Sequence, residues 1–335
     1  MKVSKTLAAF LLAAGFALTG LAQQTYIINS LKYSPELEQY AENGNATAQN
    51  NLGVVYQKGS GVEADLGKAI YWFTKGAEGG NDKAMVNLGA AYLKGTGVDQ
   101  NIPEAVRLFE KAALQMNQAA FYNLALLYRE GLGVEKNPET AFRYALKAAD
   151  ADEVSERFDE DALFKKEDKD ISGSAQFMVS SFYHSGFGTS PDMEKSMQYL
   201  RRAAENDHPV AAYIMGNFCE NGAGVEKSLF MSERFYRKAA DNGFPLAAYL
   251  LGSRYATGDV FKKNEENAVK YLTLAVADGA NVPPVIKADA LLKLADLLDA
   301  TGSPADAGKA QSYRSQASKL PAPDPAQISQ ILNDI

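Results

Sequence analysis

Cysteine and histidine are nearly missing from this sequence, which holds one cysteine and two histidines in 335 residues. With Cys219 alone no intramolecular disulfide can form, so stability must come from packing in any compartment. The thiol itself reads as a small buried apolar group. His184 and His208 cannot build a metal site with one cysteine unless a carboxylate cluster joins them, and no metal is expected. His208 precedes Pro209 at a helix start and reads as a cap or surface residue. Basic tracts are missing too. A formal charge of −7 without a Lys/Arg cluster argues against nucleic acid and against anionic membranes as partners. Gly-x-Gly pairs recur as repeat punctuation, but no Lys-Ser or Lys-Thr follows them, so they give a phosphate loop only weak support. There is no nucleophile elbow. The residues therefore imply no catalytic group and no cofactor, and the chain is read as a binding protein rather than an enzyme.

What is present begins at the N-terminus. Lys2 and Lys5 precede an apolar run from Leu7 to Leu21, and Gly20-Leu21-Ala22 ends it with the small residues a signal peptidase reads. The run is shorter than the roughly 20 residues a bilayer span needs. Position 21 is Leu rather than Cys, which sets aside a lipoprotein signal. Cleavage after Ala22 is expected, giving an exported chain, periplasmic or secreted, with no membrane insertion. Loss of Lys2 and Lys5 takes the formal charge from −7 to −9. Hydrophobic residues at 46% and charged residues at 22% suffice to bury a long core.

A period of 36 runs through the rest. Gly59, Gly95 and Gly131 are 36 apart, as are Gly186, Gly222 and Gly258, and the step of 55 between the two triplets is one period plus 19 inserted residues. Eleven residues before each glycine stands Ala48, Ala84, Ala120, Ala175, Ala211 or Ala247. Tyr56, Tyr92, Tyr128, Tyr183 and Tyr255 share another register, with Cys219 in the fifth unit. Ala48, Leu52, Val55 and Tyr56 fall on one stripe of a first helix, helix A, which ends at the Gly59-Ser60-Gly61 loop. Asp65, Asn101, Asn137, Asp192, Ser228 and Asn264 are preferred N-caps at one register and start a second helix, helix B. Small residues alternate with aromatics in both helices, so that neighbouring pairs can interdigitate.

Six units of two helices imply an all-α solenoid, which needs an end cap on each side. Ser34-Pro35 through Tyr40-Ala41 reads as a lone helix B covering the first unit. Pro284–Ala300 and Pro304–Leu320 read as a divergent closing pair. The chain is thus divided into 1–22 (signal peptide), 23–42 (N-terminal segment and capping helix), 43–149 (repeats one to three), 150–173 (acidic insertion), 174–277 (repeats four to six), 278–320 (C-terminal capping pair) and 321–335 (Pro-rich tail). Pro321, Pro323 and Pro325 read as an extended, mobile tail. In the insertion, Val154, Phe158 and Ala162 suggest a short helix. Asp168-Lys169-Asp170 lacks the glycine and distal Glu of an EF-hand loop.

Asn43-Gly44-Asn45 through Ala48, Asn51-Leu52-Gly53, Tyr56, Gly59-Ser60-Gly61-Val62, Asp65, Lys68-Ala69 and Trp72-Phe73 resembles the Sel-one-like repeat, a relative of the tetratricopeptide repeats. The match recurs six times between about Asn43 and Val276. It departs in repeat four, at Phe177-Met178-Val179-Ser180, and in repeat six, where Asp259-Val260 replaces the second glycine. The resemblance implies a right-handed superhelix of antiparallel helix pairs, used as an adaptor for protein complexes, and a monomer is expected. One branch of that family is cysteine-rich and secreted, with β-lactam binding or hydrolysis reported. This chain, with Cys219 alone, lacks its disulfide pattern.

The register two beyond the repeated alanine lies about 200° from the core stripe. It reads Asn50, Val86, Tyr122, Phe177, Tyr213 and Tyr249. In the tetratricopeptide fold this register faces the concave groove, which implies an aromatic binding track of Tyr122, Phe177, Tyr213 and Tyr249, flanked by Arg129, His184 and Glu220. Packing against adjacent helices is the alternative for these rings. An unidentified protein partner is the first expectation for function. A cell-wall-associated hydrolase or its regulator, or a peptidoglycan or carbohydrate binder whose aromatics stack on sugars, are the other two.

Overall fold

The six caps read from the sequence are formed. Asp65, Asn101, Asn137, Asp192, Ser228 and Asn264 each accept a hydrogen bond from the backbone N–H three residues on, at 2.8–3.2 Å. The computed structural model describes residues 31–151 and 165–334, with sixteen helices and no strand among them. The N-terminal helix α1 (Pro35–Glu42) is followed by six pairs. These are α2 (Ala46–Lys58) with α3 (Leu66–Glu78), α4 (Asp82–Lys94) with α5 (Ile102–Leu114), α6 (Gln118–Glu130) with α7 (Pro138–Ala149), α8 (Lys165–Ser185) with α9 (Met193–Glu205), α10 (Pro209–Asn221) with α11 (Leu229–Asp241), and α12 (Pro245–Thr257) with α13 (Glu265–Val276). Then come α14 (Pro284–Asp299), α15 (Pro304–Ala317) and α16 (Pro325–Asp334). The described residues fall into two compact units, one ending at Tyr199 and one beginning at Leu200. The fold is the all-α repeat solenoid that the registers imply.

Within a pair the two helices are not equivalent. Helix α2 buries Ala48, Gln49, Asn50, Leu52, Gly53, Val54, Val55 and Tyr56, whereas α3 buries only Ala69, Phe73 and Gly76. The A helices are therefore enclosed nearly all round, and the B helices are amphipathic with one face in solvent. Asn87 Nδ2 donates to Asn50 Oδ1 at 2.9 Å inside the first unit, so these two amides on neighbouring enclosed helices are partnered by each other.

Two glycine contacts set the spacing. Gly53, Gly89, Gly216 and Gly252 lie on A helices where a Cβ would come within 2.5–2.8 Å of Phe73, Phe109, Tyr236 or Leu272, each twenty residues on. A bulky side chain on helix B thus rests on bare backbone of helix A. The second glycine of the loop packs against the first turn of the preceding helix B: Gly97 on Leu66, Gly133 on Ile102 and Gly188 on Pro138.

Ala41 of α1 is fully buried, and α14 and α15 share a cluster of Ala295, Leu298 and Ala310 closed by Tyr313. One reading needs correction. The tail read as extended is helical from Pro325 on: Asp324 Oδ1 accepts from Ala326 N at 2.9 Å, Pro325 occupies the first turn, and α16 runs to Asp334 with Ile328 buried. Proline is tolerated at a helix start because its missing N–H would be unpaired there anyway. The insertion 150–173 is in part helix, since α8 begins at Lys165 with Ile171 and Ser172 buried, and Gln118 Nε2 donates to Ser172 Oγ at 2.8 Å. The short helix expected at Val154, Phe158 and Ala162 lies outside the described residues.

The A helices have caps of their own. Asn45, Asn81 and Asn117 accept from Ala48, Ala84 and Ala120 N at 2.8–2.9 Å. In the fifth repeat His208 takes this place, its Nδ1 accepting from Ala211 N at 3.2 Å. That contact needs a neutral imidazole, and burial pushes the His208 pKa down to about 4. Because the folded value lies below the ordinary value of about 6.5, the unfolded chain takes up the proton first. Stability from this cap is therefore complete above about pH 6.5 and is lost as pH falls toward 4, by on the order of 1–3 kcal/mol. His208→Asn, which restores the cap of the other repeats, is expected to keep stability at pH 7 and to flatten the wild-type decline in urea midpoint between pH 6.5 and 4. Parallel declines in the two proteins would show that His208 is not responsible.

Candidate functional site

The unit beginning at Leu200 carries a cleft of about 330 Å³. Each wall follows from the repeat. Tyr213 and Asn217 come from α10, and Tyr249, Leu250 and Arg254 from α12, one turn apart along enclosed A helices. Asp289 and Lys293 come from α14. The last side is α16, through Pro325, Ile328, Ser329 and Leu332. Tyr213 Oη donates to the Leu332 carbonyl at 3.2 Å, and Tyr249 Oη donates to Asp289 Oδ2 at 2.7 Å. Lys293 pairs with the same Asp289 oxygen.

Behind the cleft the polar groups form a closed set. Arg254 Nη1 pairs with Glu220 Oε2, both side chains mostly buried, and Tyr236 Oη donates to the same oxygen at 3.0 Å. The guanidinium lies 5.3 Å from the centroid of Tyr236 and 5.7 Å from that of Phe261, within cation–π range. Burial is the first cause that raises the Tyr213, Tyr236 and Tyr249 hydroxyls well above the ordinary tyrosine range. All three remain neutral donors at physiological pH. The arrangement offers aromatic faces, aliphatic contact and neutral hydroxyl donors, with its charges already paired to one another. Such a surface suits recognition of an apolar helix or peptide. Among the described residues no group of three or more His, Cys, Asp or Glu side chains is placed to hold a metal ion, and no helix is long and apolar enough to cross a membrane.

Sequence comparison gives the repeat its family. The Sel1 repeat model matches residues 46–81, 82–115, 119–153, 173–208, 209–244 and 245–279. The chain belongs to the Sel1 repeat family. Among solved structures, a Sel1 repeat protein from Oxalobacter formigenes is 27% identical, covers 83% of this chain and 99% of its own, and superposes with a TM-score of 0.55. A protective antigen of uropathogenic Escherichia coli displaying an SLR fold is 21% identical over 98% of this chain and 83% of its own, with a TM-score of 0.38. Immunity protein Pa5087 from Pseudomonas aeruginosa is 20% identical over 76% and 87%, with a TM-score of 0.42. No curated protein sequence matches the chain.

In each Sel1 repeat the register two beyond the alanine is core. Tyr122, Phe177, Tyr213 and Tyr249 are 4%, 1%, 2% and 3% exposed, so the rings do not form an open track. The face opposite the first stripe is closed because an A helix is enclosed by neighbours on both flanks. Tyr122, Arg129, Phe177 and His184 belong to the unit ending at Tyr199. There Tyr122 is held by burial, its pKa raised, with Arg129 and Ser174 acting in the opposite sense. Arg129 Nε pairs with Glu130 at 2.6 Å. His184 Nδ1 is buried without a hydrogen-bond partner, and burial lowers its pKa. Tyr213 and Tyr249 do reach one cleft, beneath α16, and Glu220 stands behind it through Arg254. Sequence reading missed Arg254, Asn217, Asp289, Lys293 and α16. A signal for the first existed: Val55, Ala91, Leu127, Phe182 and Phe218 hold the position that Arg254 takes in repeat six.

Proposed function

We propose that this chain is an exported, monomeric adaptor that binds another protein through its Sel1 repeats, without chemistry of its own. The observation that carries the reading is the cleft of the unit beginning at Leu200, where aromatic and aliphatic walls hold a helix by its apolar edge and a tyrosine donates to that helix's backbone. Laying an amphipathic helix in a groove is a general mode of peptide recognition. Export is supported by Lys2 and Lys5 ahead of the Leu7–Leu21 run and by the small residue at Ala22. A periplasmic or extracellular protein, of the envelope or of a host, is the partner class.

Expression of the full chain in a Gram-negative host followed by fractionation and N-terminal sequencing is expected to give a chain starting at Gln23 outside the cytoplasm. Recovery of Met1 in the cytoplasm would count against export. Binding is tested by crosslinking from the native envelope fraction, with Tyr213→Ala and Tyr249→Ala as the control. Loss of capture at unchanged melting temperature supports the cleft as the site. Equal capture by wild type and variant removes it.

A further inference from the structure

Helix α16 has the features of a ligand. Between Pro325 and Asn333 it carries no charged side chain, and Pro325, Ile328 and Leu332 align along one edge, the edge that lines the cleft. Ile328 is buried, Ile331 and Leu332 are partly buried, and Gln327, Ser329 and Gln330 are exposed. The helix hangs from the end of α15 at Ala317 by a short segment holding Pro321 and Pro323. The Tyr213 hydroxyl donates to its backbone, but the charged groups of the walls do not depend on it for their pairing. Arg254 holds Glu220, and Asp289 holds both Lys293 and Tyr249, the latter across the packed pair α12 and α14.

We propose that α16 is a displaceable occupant of this cleft, and that the partner it gives way to is a short amphipathic helix of another protein with aliphatic side chains at i and i+4 and an uncharged contact edge. The proposal deepens the adaptor reading and rests on it. Three observations support exchange. A ten-residue helix is marginal on its own in water, so α16 is ordered mainly by the cleft. It fixes itself with one buried side chain, Ile328, and one hydrogen bond from Tyr213 to its backbone, which places it among the segments that open most readily. Its tether raises its local concentration without adding contacts, so a partner helix with more anchors replaces it, while one with fewer does not. The paired charges of the walls select for a neutral edge, because a charged side chain there would be desolvated beside groups already satisfied.

The probe is a fluorescent peptide of residues 322–335 added to the full chain. Ile328→Glu with Leu332→Glu, which unseats α16 by placing carboxylates in the cleft, is expected to tighten peptide binding by about tenfold or more over wild type, since the tethered competitor is gone. In the wild-type chain, where folding is not in question, saturating peptide is expected to speed amide exchange in α16 while α10 and α12 stay protected. Equal or absent peptide binding together with unchanged α16 exchange overturns the proposal. A wild-type dimer that the double substitution dissolves also overturns it, assigning α16 to exchange between copies of this chain. The two readings fail separately. A partner captured equally well by wild type and the double variant keeps the adaptor and removes the displaceable helix. Peptide exchange with no protein captured from the envelope removes the adaptor.

Discussion

Gly188→Ala is expected to lower the stability of the unit ending at Tyr199 by roughly 3 kcal/mol, the sum of a left-handed backbone held by a residue with a Cβ and of steric overpacking. Gly188 sits at φ +68°, and a Cβ would stand 2.1 Å from the Pro138 carbonyl oxygen and 2.4 Å from its carbon. Both are backbone atoms of the first turn of α7, so no side chain can swing aside, and the loop must lift off the preceding helix. Gly61→Ala is the matched control. It has φ +82° but meets nothing closer than 3.4 Å, so only the conformational part, about 1 kcal/mol, is lost. Urea midpoints of the two variants separate the terms. Equal losses would mean that the close seat on Pro138 contributes nothing.

The second large effect lies behind the cleft. Arg254→Ala leaves the Glu220 carboxylate in a mostly buried place with Tyr236 as its remaining donor of those seen around it, and is expected to cost about 2–4 kcal/mol. Most of that is the penalty of an uncompensated charge, not the worth of the pair. Replacing both members by Met, which fills similar volume without charge, is accordingly expected to recover much of the loss. A double-mutant cycle measured by denaturant unfolding gives the coupling, and a value near zero would mean that solvent already screens the pair. Arg254 also lines the cleft, so the single variant is expected to loosen α16, visible as faster amide exchange over residues 325–334.

The elements that sequence revealed are those repeated by it. The six B-helix caps, the αL glycines that close the A helices and the alternation of small and bulky residues recur at a fixed period, and each has a local physical cause that no distant contact overrides. The candidate track failed for a different reason. Helical phase gives the angle between Ala211 and Tyr213, but how many faces of α10 are covered depends on the neighbours packed on it, which a single helix does not encode. Helix α16 is masked in the sequence because Pro321, Pro323 and Pro325 together read as an extended tail, although only Pro325 lies in the helix and its place in the first turn is a starting signal. Ile328, Ile331 and Leu332 at helical spacing carried the correct information. Arg254 was legible in principle, as the one charge in a stripe that is apolar in the other five repeats. The caps at Asn45, Asn81 and Asn117 were legible too, and His208 is understood only beside them.

The fit between glycine and ring has a consequence for engineering arrays of this kind. Repeat two sets Gly89 beneath Phe109, whereas repeat three has Ala125 and Ala145 at the same two places. A helix transplanted from one repeat into the other would bring either a ring onto a methyl group or two small residues across an empty space. Repeats of one consensus are thus not interchangeable half by half. The transferable module is the matched pair, and a chimera built by exchanging single helices should fail where one built from whole hairpins folds.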